Sequence, residues 1–400
     1  MNQQPNATKP TVCLFGPCNA GKSSLFNALT GTNQAIVSAQ PGTTTDPVIK
    51  SMELIPYGPI VLIDTAGLGD NGCGLGAKRM DKTWAMLERA DVALYAADTG
   101  APEDTQADFI RFQQECAKRR TPCLFIRTKT DQRPDNQAEI SDVLSVSIYN
   151  PQSIDALKQR IGQALSELNT RQQGLLEGIL APGSVTLLIV PIDSEAPKGR
   201  LILPQVQLIR ECLDNGIRCH VATVDTLPAA LADLPHIDLA VTDSQAFREA
   251  ADLIPAHIPL TSFSLLMARQ KGDIAHFVET ARTLKNLQPD DTILIAEACT
   301  HSHGHDDIGH VKIPAMLQKI TGHSLQIDFA AGHDFPEPLN RYKLIIHCGG
   351  CMIGRKEMQN RIQAAQAAGV PTTNYGVVLA YANGILDRSV APLGIHTISR

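Results

Sequence analysis

The chain has 400 residues, of which 43% are hydrophobic and 19% charged, and its formal net charge is −6. This length predicts two to three domains, and the composition is typical of a folded globular protein rather than a disordered chain. The negative charge argues against general nucleic-acid binding, because affinity for phosphates needs a basic surface.

Membrane insertion and secretion are not indicated by the sequence. The longest apolar run, around Val185–Ile192, contains Pro191 and is far shorter than the roughly 18 residues that a membrane-spanning helix needs. The amino terminus is polar and lacks the pattern of a secretory signal. We therefore expect a cytoplasmic protein without a membrane anchor, whose ten cysteines are reduced thiols or metal ligands.

The first element in chain order is a short apolar run, Thr11–Phe15, which predicts a strand. The sequence Gly-Pro-Cys-Asn-Ala-Gly-Lys-Ser-Ser begins at Gly16, and apolar residues at helical spacing follow it. Strand, glycine loop and helix are the context that a P-loop requires. Gly16 and Gly21 let backbone N–H groups close around phosphates, Lys22 adds a positive charge, and the Ser23 hydroxyl can bind Mg²⁺.

Two later segments provide further ligands for a phosphate-bound Mg²⁺ ion. The polar loop Pro41–Asp46 carries three threonine hydroxyls, including that of Thr44. The apolar run Ile60–Ile63 predicts a strand that ends at Asp64, and Gly67 follows three residues later. The carboxylate can bind in the Mg²⁺ shell, and the glycine N–H can contact a γ-phosphate.

Another predicted strand, Cys123–Arg127, leads into the sequence Thr-Lys-Thr-Asp that ends at Asp131. The Asp131 carboxylate could accept two hydrogen bonds from a guanine edge, and the stem of Lys129 could lie along the base. The segment Ser145-Val-Ser147 follows the next strand and could complete the base pocket. Each motif is short, but together and in this order they predict a guanine-nucleotide site.

These motifs show that residues 11–165 resemble the TrmE–Era group of Ras-like GTPases. The resemblance implies that Asn19 binds K⁺ and that Ser23 and Thr44 bind Mg²⁺, with Lys22, Thr44 and Gly67 catalytic. Leu68 occupies the position of the water-orienting glutamine of Ras-type enzymes, which implies slow hydrolysis accelerated by K⁺. The resemblance implies nucleotide contacts from Gly16, Asn19, Ala20, Gly21, Lys22, Ser23, Ser24, Asp64, Gly67, Thr128, Lys129, Asp131 and Ser145. Thr128 departs from the asparagine that is common at the start of the guanine motif, so guanine specificity rests on Asp131.

The middle of the chain alternates predicted strands and helices after a linker at Asn169–Gly183, which favours an open parallel sheet. We find no catalytic set of residues there. The predicted elements are strands at Val185–Val190, Cys219–Thr223 and Leu239–Thr242, and helices at Pro204–Leu213 and Phe247–Leu253.

The last third carries two segments rich in metal ligands, each after a predicted strand. Asp291–Ala296 is followed by Cys299 and His301, and Leu344–Ile346 is followed by His347-Cys348-Gly-Gly-Cys351. Because parallel strands collect their functional loops at their carboxyl ends, the two segments can meet at one metal. Zinc would take Cys299, Cys348, Cys351 and one histidine, whereas an iron–sulfur cluster would take the three thiolates and leave one iron exchangeable. The further histidines His303, His305 and His310 are expected to be loop residues rather than ligands.

Cys-x-His at residues 299–301 and His-Cys-x-x-Cys at 347–351, joined to this type of GTPase domain, resemble the HydF family of FeFe-hydrogenase maturation GTPases. The resemblance implies a 4Fe–4S cluster on Cys299, Cys348 and Cys351, with His301 or His347 as a labile fourth ligand. It implies a homodimeric scaffold that receives a diiron precursor from two radical S-adenosylmethionine maturases and delivers it to the apo FeFe-hydrogenase.

The sequence therefore predicts an α/β protein of three domains, a Ras-like P-loop GTPase fold followed by two smaller open α/β sheet domains. We expect the GTPase domain at residues 1–168, a dimerisation domain at 169–268 and a cluster-binding domain at 269–400. The expected cofactors are GTP, Mg²⁺, K⁺ and a 4Fe–4S cluster, without a nucleic-acid partner. Two alternatives remain: an Era-type RNA- or ribosome-associated GTPase with a structural zinc site, and a GTPase that inserts nickel or zinc into a client.

Overall fold

The computed structural model describes residues 9–31, 47–67, 84–98, 104–132, 143–169, 173–192, 199–298, 307–332 and 335–395. Its contacts divide the chain into two compact units, Met1–Gln172 and Gln173–Arg400. No helix in these described ranges is both long enough and apolar enough to cross a bilayer.

The described part of the first unit contains one mixed sheet and four helices. The strands are β1 (Thr11–Phe15), β2 (Val48–Leu54), β3 (Gly58–Asp64), β4 (Val92–Asp98), β5 (Cys123–Thr128) and β6 (Val143–Ser145). The helices are α1 (Lys22–Thr30), α2 (residues 84–89), α3 (Asp104–Lys118) and α4 (Pro151–Asn169). The sheet order is β2-β3-β1-β4-β5-β6, with β2 antiparallel to β3 and the other pairs parallel.

The central strand β1 is buried because helices cover both faces of this sheet. Val12 and Leu14 face a core that includes Leu25 of α1, whereas Cys13 and Phe15 face a second core that includes Phe112 of α3. Successive residues of a strand point to opposite faces, so a continuous apolar run is what a doubly covered parallel strand requires. The apolar run that predicted β1 therefore also positions Gly16 at the carboxyl edge of the sheet.

The second unit contains two sheets of four parallel strands. Its strands are β7 (Val185–Ile189), β8 (Arg218–Ala222), β9 (Leu239–Thr242), β10 (Leu260–Ser262), β11 (Thr292–Glu297), β12 (Gln326–Ala331), β13 (Leu344–His347) and β14 (Thr372–Asn374). Its helices are α5 (Leu203–Asp214), α6 (Leu227–Asp233), α7 (Phe247–Leu253), α8 (Phe263–Lys271), α9 (Ile274–Ala281), α10 (Ile313–Thr321), α11 (Arg355–Ala367), α12 (Tyr375–Ala382) and α13 (Leu386–Val390). The strand orders are β10-β9-β7-β8 and β12-β11-β13-β14.

One hydrophobic core joins these two sheets. It includes Leu187 and Leu188 of β7, Leu265 of α8, and Ile295 and Ile346 from the second sheet. The expected α/β architecture, a larger sheet followed by two smaller parallel sheets, is confirmed. The expected boundary at residue 269 lies within α8 and stays a prediction.

Candidate functional site

The P-loop between β1 and α1 has the backbone conformations that only glycine adopts readily. Gly16 has φ 134°, and a Cβ at this position would lie 2.0 Å from the carbonyl oxygen of Ala96. Gly21 has φ 79° and caps the amino terminus of α1. Lys22 is buried, and its ammonium group donates to the carbonyl oxygens of Gly16 (3.0 Å) and Pro17 (2.8 Å). A positive charge thus lies within the loop itself, where phosphate oxygens can replace the carbonyls.

Ser23 and Asp64 meet at the carboxyl ends of β1 and β3. The Ser23 hydroxyl donates to Oδ2 of Asp64 at 2.6 Å. Asp64 is fully buried, and its Oδ1 has no hydrogen-bond partner among the described residues. Burial raises the pKa of Asp64, opposed by the hydrogen bond from Ser23 and the charge of Lys22. A buried carboxylate with one unpartnered oxygen beside a hydroxyl fits a Mg²⁺ shell; Thr44 lies outside the described residues.

Gly67 lies directly against the P-loop. A Cβ at Gly67 would be 2.4 Å from Sγ of Cys18, so only glycine allows this approach. Asn19 is exposed, and its φ of 60° is in the left-handed region that few residues other than glycine and asparagine adopt. Asn19 therefore lies on the solvent-exposed side of the loop, and the next residue, Ala20, is buried.

Thr128 connects the predicted guanine motif to the P-loop. Its hydroxyl hydrogen-bonds to the carbonyl oxygens of Ala20 (2.7 Å) and Ala97 (3.1 Å). One hydroxyl therefore ties together the end of β5, the end of β4 and the phosphate-binding loop. The departure from asparagine at this position leaves the connection between base motif and P-loop in place.

Lys129 and Asp131 border a cavity of about 140 Å³ at the same edge of the sheet. Lys129 pairs with Asp98 at 2.8 Å, and Asp131 accepts a hydrogen bond from the Ser147 hydroxyl at 2.7 Å. Ser145 is an exposed residue of β6, opposite Arg127. Ser147, two residues later in the same predicted segment, is the residue that hydrogen-bonds to Asp131. The lining residues are Gly21, Ser24, Leu25, Thr128, Lys129, Asp131, Gln132, Val146, Ile148 and Tyr149.

The second candidate site lies at the carboxyl ends of β11 and β13. Parallel pairing sets Ala296 opposite His347, so the two ligand-rich segments leave the sheet side by side. Cys348 is buried, and its sulfur accepts hydrogen bonds from the backbone N–H groups of Ala298 (3.1 Å) and Gly350 (3.4 Å). Such donors stabilise a thiolate that binds a metal centre.

Cys299 and His301 lie outside the described residues. Ala298, the residue before Cys299, contacts the sulfur of Cys348, so the chain enters the first ligand segment next to a thiol of the second. Burial raises the pKa of the Cys348 thiol to about 11, and the two N–H bonds lower it. Cys351 is partly buried. The geometry supports a site shared by the two segments. Because burial raises the pKa of the Cys348 thiol, a nearby positive charge would favour its thiolate form.

Lys271, at the end of α8, supplies a positive charge beside the loop. The side chain is buried, and its ammonium group donates to the carbonyl oxygens of Gly350 (2.7 Å) and Ile353 (3.0 Å). Burial lowers the pKa of Lys271 to about 8, while Cys351 and Cys348 raise it. Sequence patterns did not indicate this residue, because α8 ends in the polar run Arg269-Gln270-Lys271, in which a buried lysine cannot be told from a solvated one.

The ring of His347 is already hydrogen-bonded at both nitrogens, which argues against it as a cluster ligand. Nδ1 lies 2.9 Å from the carbonyl oxygen of Cys348, and Nε2 lies 3.0 Å from Nη1 of Arg361. Because arginine only donates, Nε2 accepts and Nδ1 carries the proton. Burial and the charge of Arg361 lower the pKa of His347 to about 4, so the ring is neutral and held in place. The ring thus links the start of the Cys-x-x-Cys loop to Arg361 of α11.

Two domain models cover most of the second unit. The model described as the hydrogen maturase F dimerization domain matches residues 175–272, and the hydrogen maturase F tetramerization domain matches residues 275–392. A third model, described as a 50S ribosome-binding GTPase, matches residues 11–129. The boundary between the first two models falls just after α8.

Curated relatives match the GTPase part of the chain. The tRNA modification GTPase MnmE of Bordetella parapertussis is 37% identical over 153 residues, which are 38% of this chain and 33% of that protein. MnmE of Xanthomonas oryzae pv. oryzae is 36% identical over 148 residues, 37% of this chain and 32% of that protein. The chain thus spans about a third of the length of the curated relatives it matches.

Solved structures also match in this region. The crystal structure of Era in complex with MgGDPNP and a segment of 16S ribosomal RNA has 24% identity and a TM-score of 0.34, covering 39% of this chain and 56% of that chain. The G domain of the T. maritima FeoB iron transporter has 24% identity and a TM-score of 0.31, covering 39% of this chain and 99% of that chain.

Proposed function

The chain belongs to the hydrogen maturase F family, with a GTPase domain followed by that family's dimerization and tetramerization domains, and we propose that it is a GTP-hydrolysing, self-associating scaffold for FeFe-hydrogenase maturation. In this role it holds a 4Fe–4S cluster, receives a diiron precursor as cargo from two radical S-adenosylmethionine maturases, and delivers it to the apo-hydrogenase. The observation that carries the proposal is the contact between Ala298 N–H and the Cys348 sulfur.

The donor set at the ends of β11 and β13 fits an iron–sulfur cluster. Cys348 and Cys351 would hold it together with Cys299, and Lys271 would offset part of the thiolate charge. Bound by three thiolates, such a cluster has one iron whose remaining ligand is exchangeable. Because both nitrogens of His347 are engaged, we propose His301 as the protein's labile ligand at that iron.

The first unit would bind GTP with Mg²⁺ and hydrolyse it. Lys22 would move from the loop carbonyls to phosphate oxygens, Ser23 and Asp64 would hold Mg²⁺ together with Thr44, and Gly67 would donate its N–H to the γ-phosphate. Asp131 would recognise the guanine edge. We propose that the nucleotide state changes the affinity for maturation partners rather than the chemistry of the cluster.

Anaerobic reconstitution with iron and sulfide, followed by reduction and electron paramagnetic resonance, tests the scaffold proposal. We expect a fast-relaxing S = 1/2 signal and about four irons per chain, both lost in Cys348→Ser. The matched control is Cys219→Ser, a partly buried thiol of β8, which should keep the signal. Uptake of one zinc without such a signal would overturn the proposal in favour of a zinc-bearing RNA- or ribosome-associated GTPase.

The separation of the two roles is tested with Lys22→Ala. This variant should lose GTP hydrolysis and fail to support hydrogenase maturation, while its cluster spectrum stays intact, because Lys22 lies in the other compact unit. Lys158→Ala on α4, which removes a half-buried lysine paired with Asp155, should hydrolyse GTP normally. Loss of the cluster in Lys22→Ala would refute the separation.

Potassium dependence is tested by comparing hydrolysis in K⁺ and Na⁺. We propose that Asn19 binds K⁺ at the open side of the P-loop, where the cation stabilises charge that other GTPases neutralise with an arginine. The rate should be higher in K⁺, and Asn19→Ala should remove the difference. Equal rates in both salts would exclude the cation from the reaction.

A further inference from the structure

Glu297, Asp307 and His310 bring three metal-ligating atoms together beside β11. One ligand atom from each residue lies within 4.8 Å of the other two. Nδ1 of His310 is 3.4 Å from Oδ1 of Asp307 and 3.8 Å from Oε2 of Glu297. Ligands at about 2.1 Å from a tetrahedral metal ion stand roughly 3.4 Å apart. The observed spacing therefore needs only small side-chain shifts to hold one ion.

The two carboxylates of this cluster are buried. The Glu297 side chain is 4% exposed and that of Asp307 is 2% exposed. Oε2 of Glu297 points toward the other two residues and has no hydrogen-bond partner in the part of the chain that the structure describes. A positive charge between two buried carboxylates this close together would offset the cost of burying them. A divalent cation would supply that charge and would also use the unpartnered oxygen.

Neighbouring residues hold two of the three ligands in position. Oε1 of Glu297 accepts a hydrogen bond from the Tyr375 hydroxyl at 3.0 Å, which leaves Oε2 directed at the cluster. The His310 ring stacks on Phe329, with ring centroids 4.1 Å apart and planes 12° from parallel. Outer contacts of this kind orient the ligands of established metal sites.

The backbone brings His310 close to Glu297 through a short π-helical turn at Ile308–Lys312. Gly309 in this turn approaches so closely that a Cβ would lie 2.3 Å from Oε1 of Glu297 and 2.2 Å from the Tyr375 hydroxyl. Asp307 caps the turn, with Oδ1 accepting the N–H of His310 at 2.7 Å. Single π-helical turns are rare and are often found at functional sites.

We propose that Glu297, Asp307 and His310 form a binding site for one divalent first-row transition-metal ion. Two carboxylate oxygens and an imidazole nitrogen suit Fe²⁺, Mn²⁺, Co²⁺ or Zn²⁺ and do not favour the soft Cu⁺ ion that thiolates select. Three protein ligands leave positions for water or for an exogenous ligand. The site shares no ligand with Cys348 and Cys351, and it stands whether or not those thiolates hold a cluster.

Cobalt titration of the full chain tests the site. The three candidate cluster cysteines, Cys299, Cys348 and Cys351, are replaced by serine, and saturating Mg²⁺ and GDP occupy the nucleotide site. We expect one Co²⁺ per chain with visible d–d absorption and no thiolate-to-cobalt charge-transfer band. Adding Glu297→Gln, which preserves shape and the acceptor for Tyr375, should weaken Co²⁺ binding at least tenfold.

The matched control is Asp328→Asn on β12, which removes a carboxylate of the same sheet that pairs with Arg341. It should bind Co²⁺ with unchanged affinity. Thermal unfolding gives a second readout: Co²⁺ should raise the melting temperature of the parent but not of Glu297→Gln. If the Glu297 variant does not fold, His310→Gln, at a half-buried position, replaces it. Absence of Co²⁺ binding, or equal binding in parent and variants, would overturn the proposal.

Discussion

Two opposing effects act on the buried charge of Lys271. Lowering its pKa from 10.5 to about 8 corresponds to a cost of about 3 kcal/mol for keeping the ammonium group charged inside the protein. Against this, the ammonium group satisfies the carbonyl oxygens of Gly350 and Ile353, each of which would cost about 1–3 kcal/mol if left unpaired. The two effects nearly cancel in global stability, so the benefit of the lysine is local order in the Cys-x-x-Cys loop.

Lys271→Met should therefore loosen this loop without unfolding the protein. We expect faster amide hydrogen exchange at residues 349–354, with the global free energy of unfolding changed by no more than about 1 kcal/mol. Lys319→Met, at an exposed position of α10, is the control and should leave exchange unchanged. Exchange in the loop that does not respond to Lys271→Met would show that other contacts fix its conformation.

At the residue scale, sequence reasoning found the groups that belong to motifs and missed a group whose partner lies far away along the chain. Lys22, Ser23 and Asp64 were predicted together and lie together. The segment Ser145-Val-Ser147 was expected beside the guanine motif, and its Ser147 contacts Asp131 there. Lys271 lies 79 residues from its partner Gly350, and no local pattern indicates such a contact.

Among the strands and helices, too, some were predicted from the sequence and others were not. Apolar runs predicted β1, β7, β9, β11 and β13 within a residue or two, because strands of a covered parallel sheet are apolar on both faces. The antiparallel strand β2 was not predicted. It lies at the sheet edge, and its sequence is not a continuous apolar run, because three of its seven residues are polar or charged. His310 was expected in a loop and lies in a π-helical turn, a form with no established sequence signature.

The start of β7 gives a prediction with a defined pH dependence. Asp238 accepts the N–H of Val185 at 2.8 Å and contacts His236 at 2.7 Å, and these two interactions lower its pKa. A depressed pKa means that the stabilisation is complete above the unfolded pKa near 3.8 and is lost as pH falls through the folded value. Because the side chain is 31% exposed, the effect is at most about 1 kcal/mol.

Asp238→Asn should accordingly lower the free energy of unfolding at pH 7, and its difference from the parent should shrink below pH 3.8. Urea unfolding across this range measures the difference. The control is Asp214→Asn, which breaks an exposed pair with Arg210 on α5 and should have little effect at either pH. A difference that is constant with pH would mean that the carboxylate charge does not contribute.

For the whole molecule, the division into two units and the shared core of the second unit determine how it unfolds. Leu187 of β7 and Ile295 of β11 belong to the same hydrophobic cluster, although they come from different sheets. The two sheets should therefore unfold together, whereas the unit Met1–Gln172 has its own cores. Family membership extends over both sheets of the second unit, and the sequence motifs alone would not have indicated that they form one cooperative body.

Calorimetry of the full chain should show two transitions. GDP with Mg²⁺ should raise only the transition of the first unit, because a ligand stabilises the unit that binds it. Leu62→Ala in β3 should lower the melting temperature of the first unit, and Leu187→Ala should lower that of the second unit. Each substitution should reduce the free energy of unfolding of its unit by about 2–5 kcal/mol. If Leu187→Ala shifted only part of the second transition, the two sheets would be separate folding units.

The parallel sheets have a practical consequence for attaching probes. Both candidate sites lie where strands end, at the P-loop after β1 and at Cys348 after β13, so the opposite edges carry the turns that lead into strands. The exposed turn Gln288–Asp290 leads into β11 and therefore lies at this opposite edge of its sheet. A fluorophore attached there would report on assembly or partner docking while standing at the opposite edge of the sheet from the Cys348 thiol.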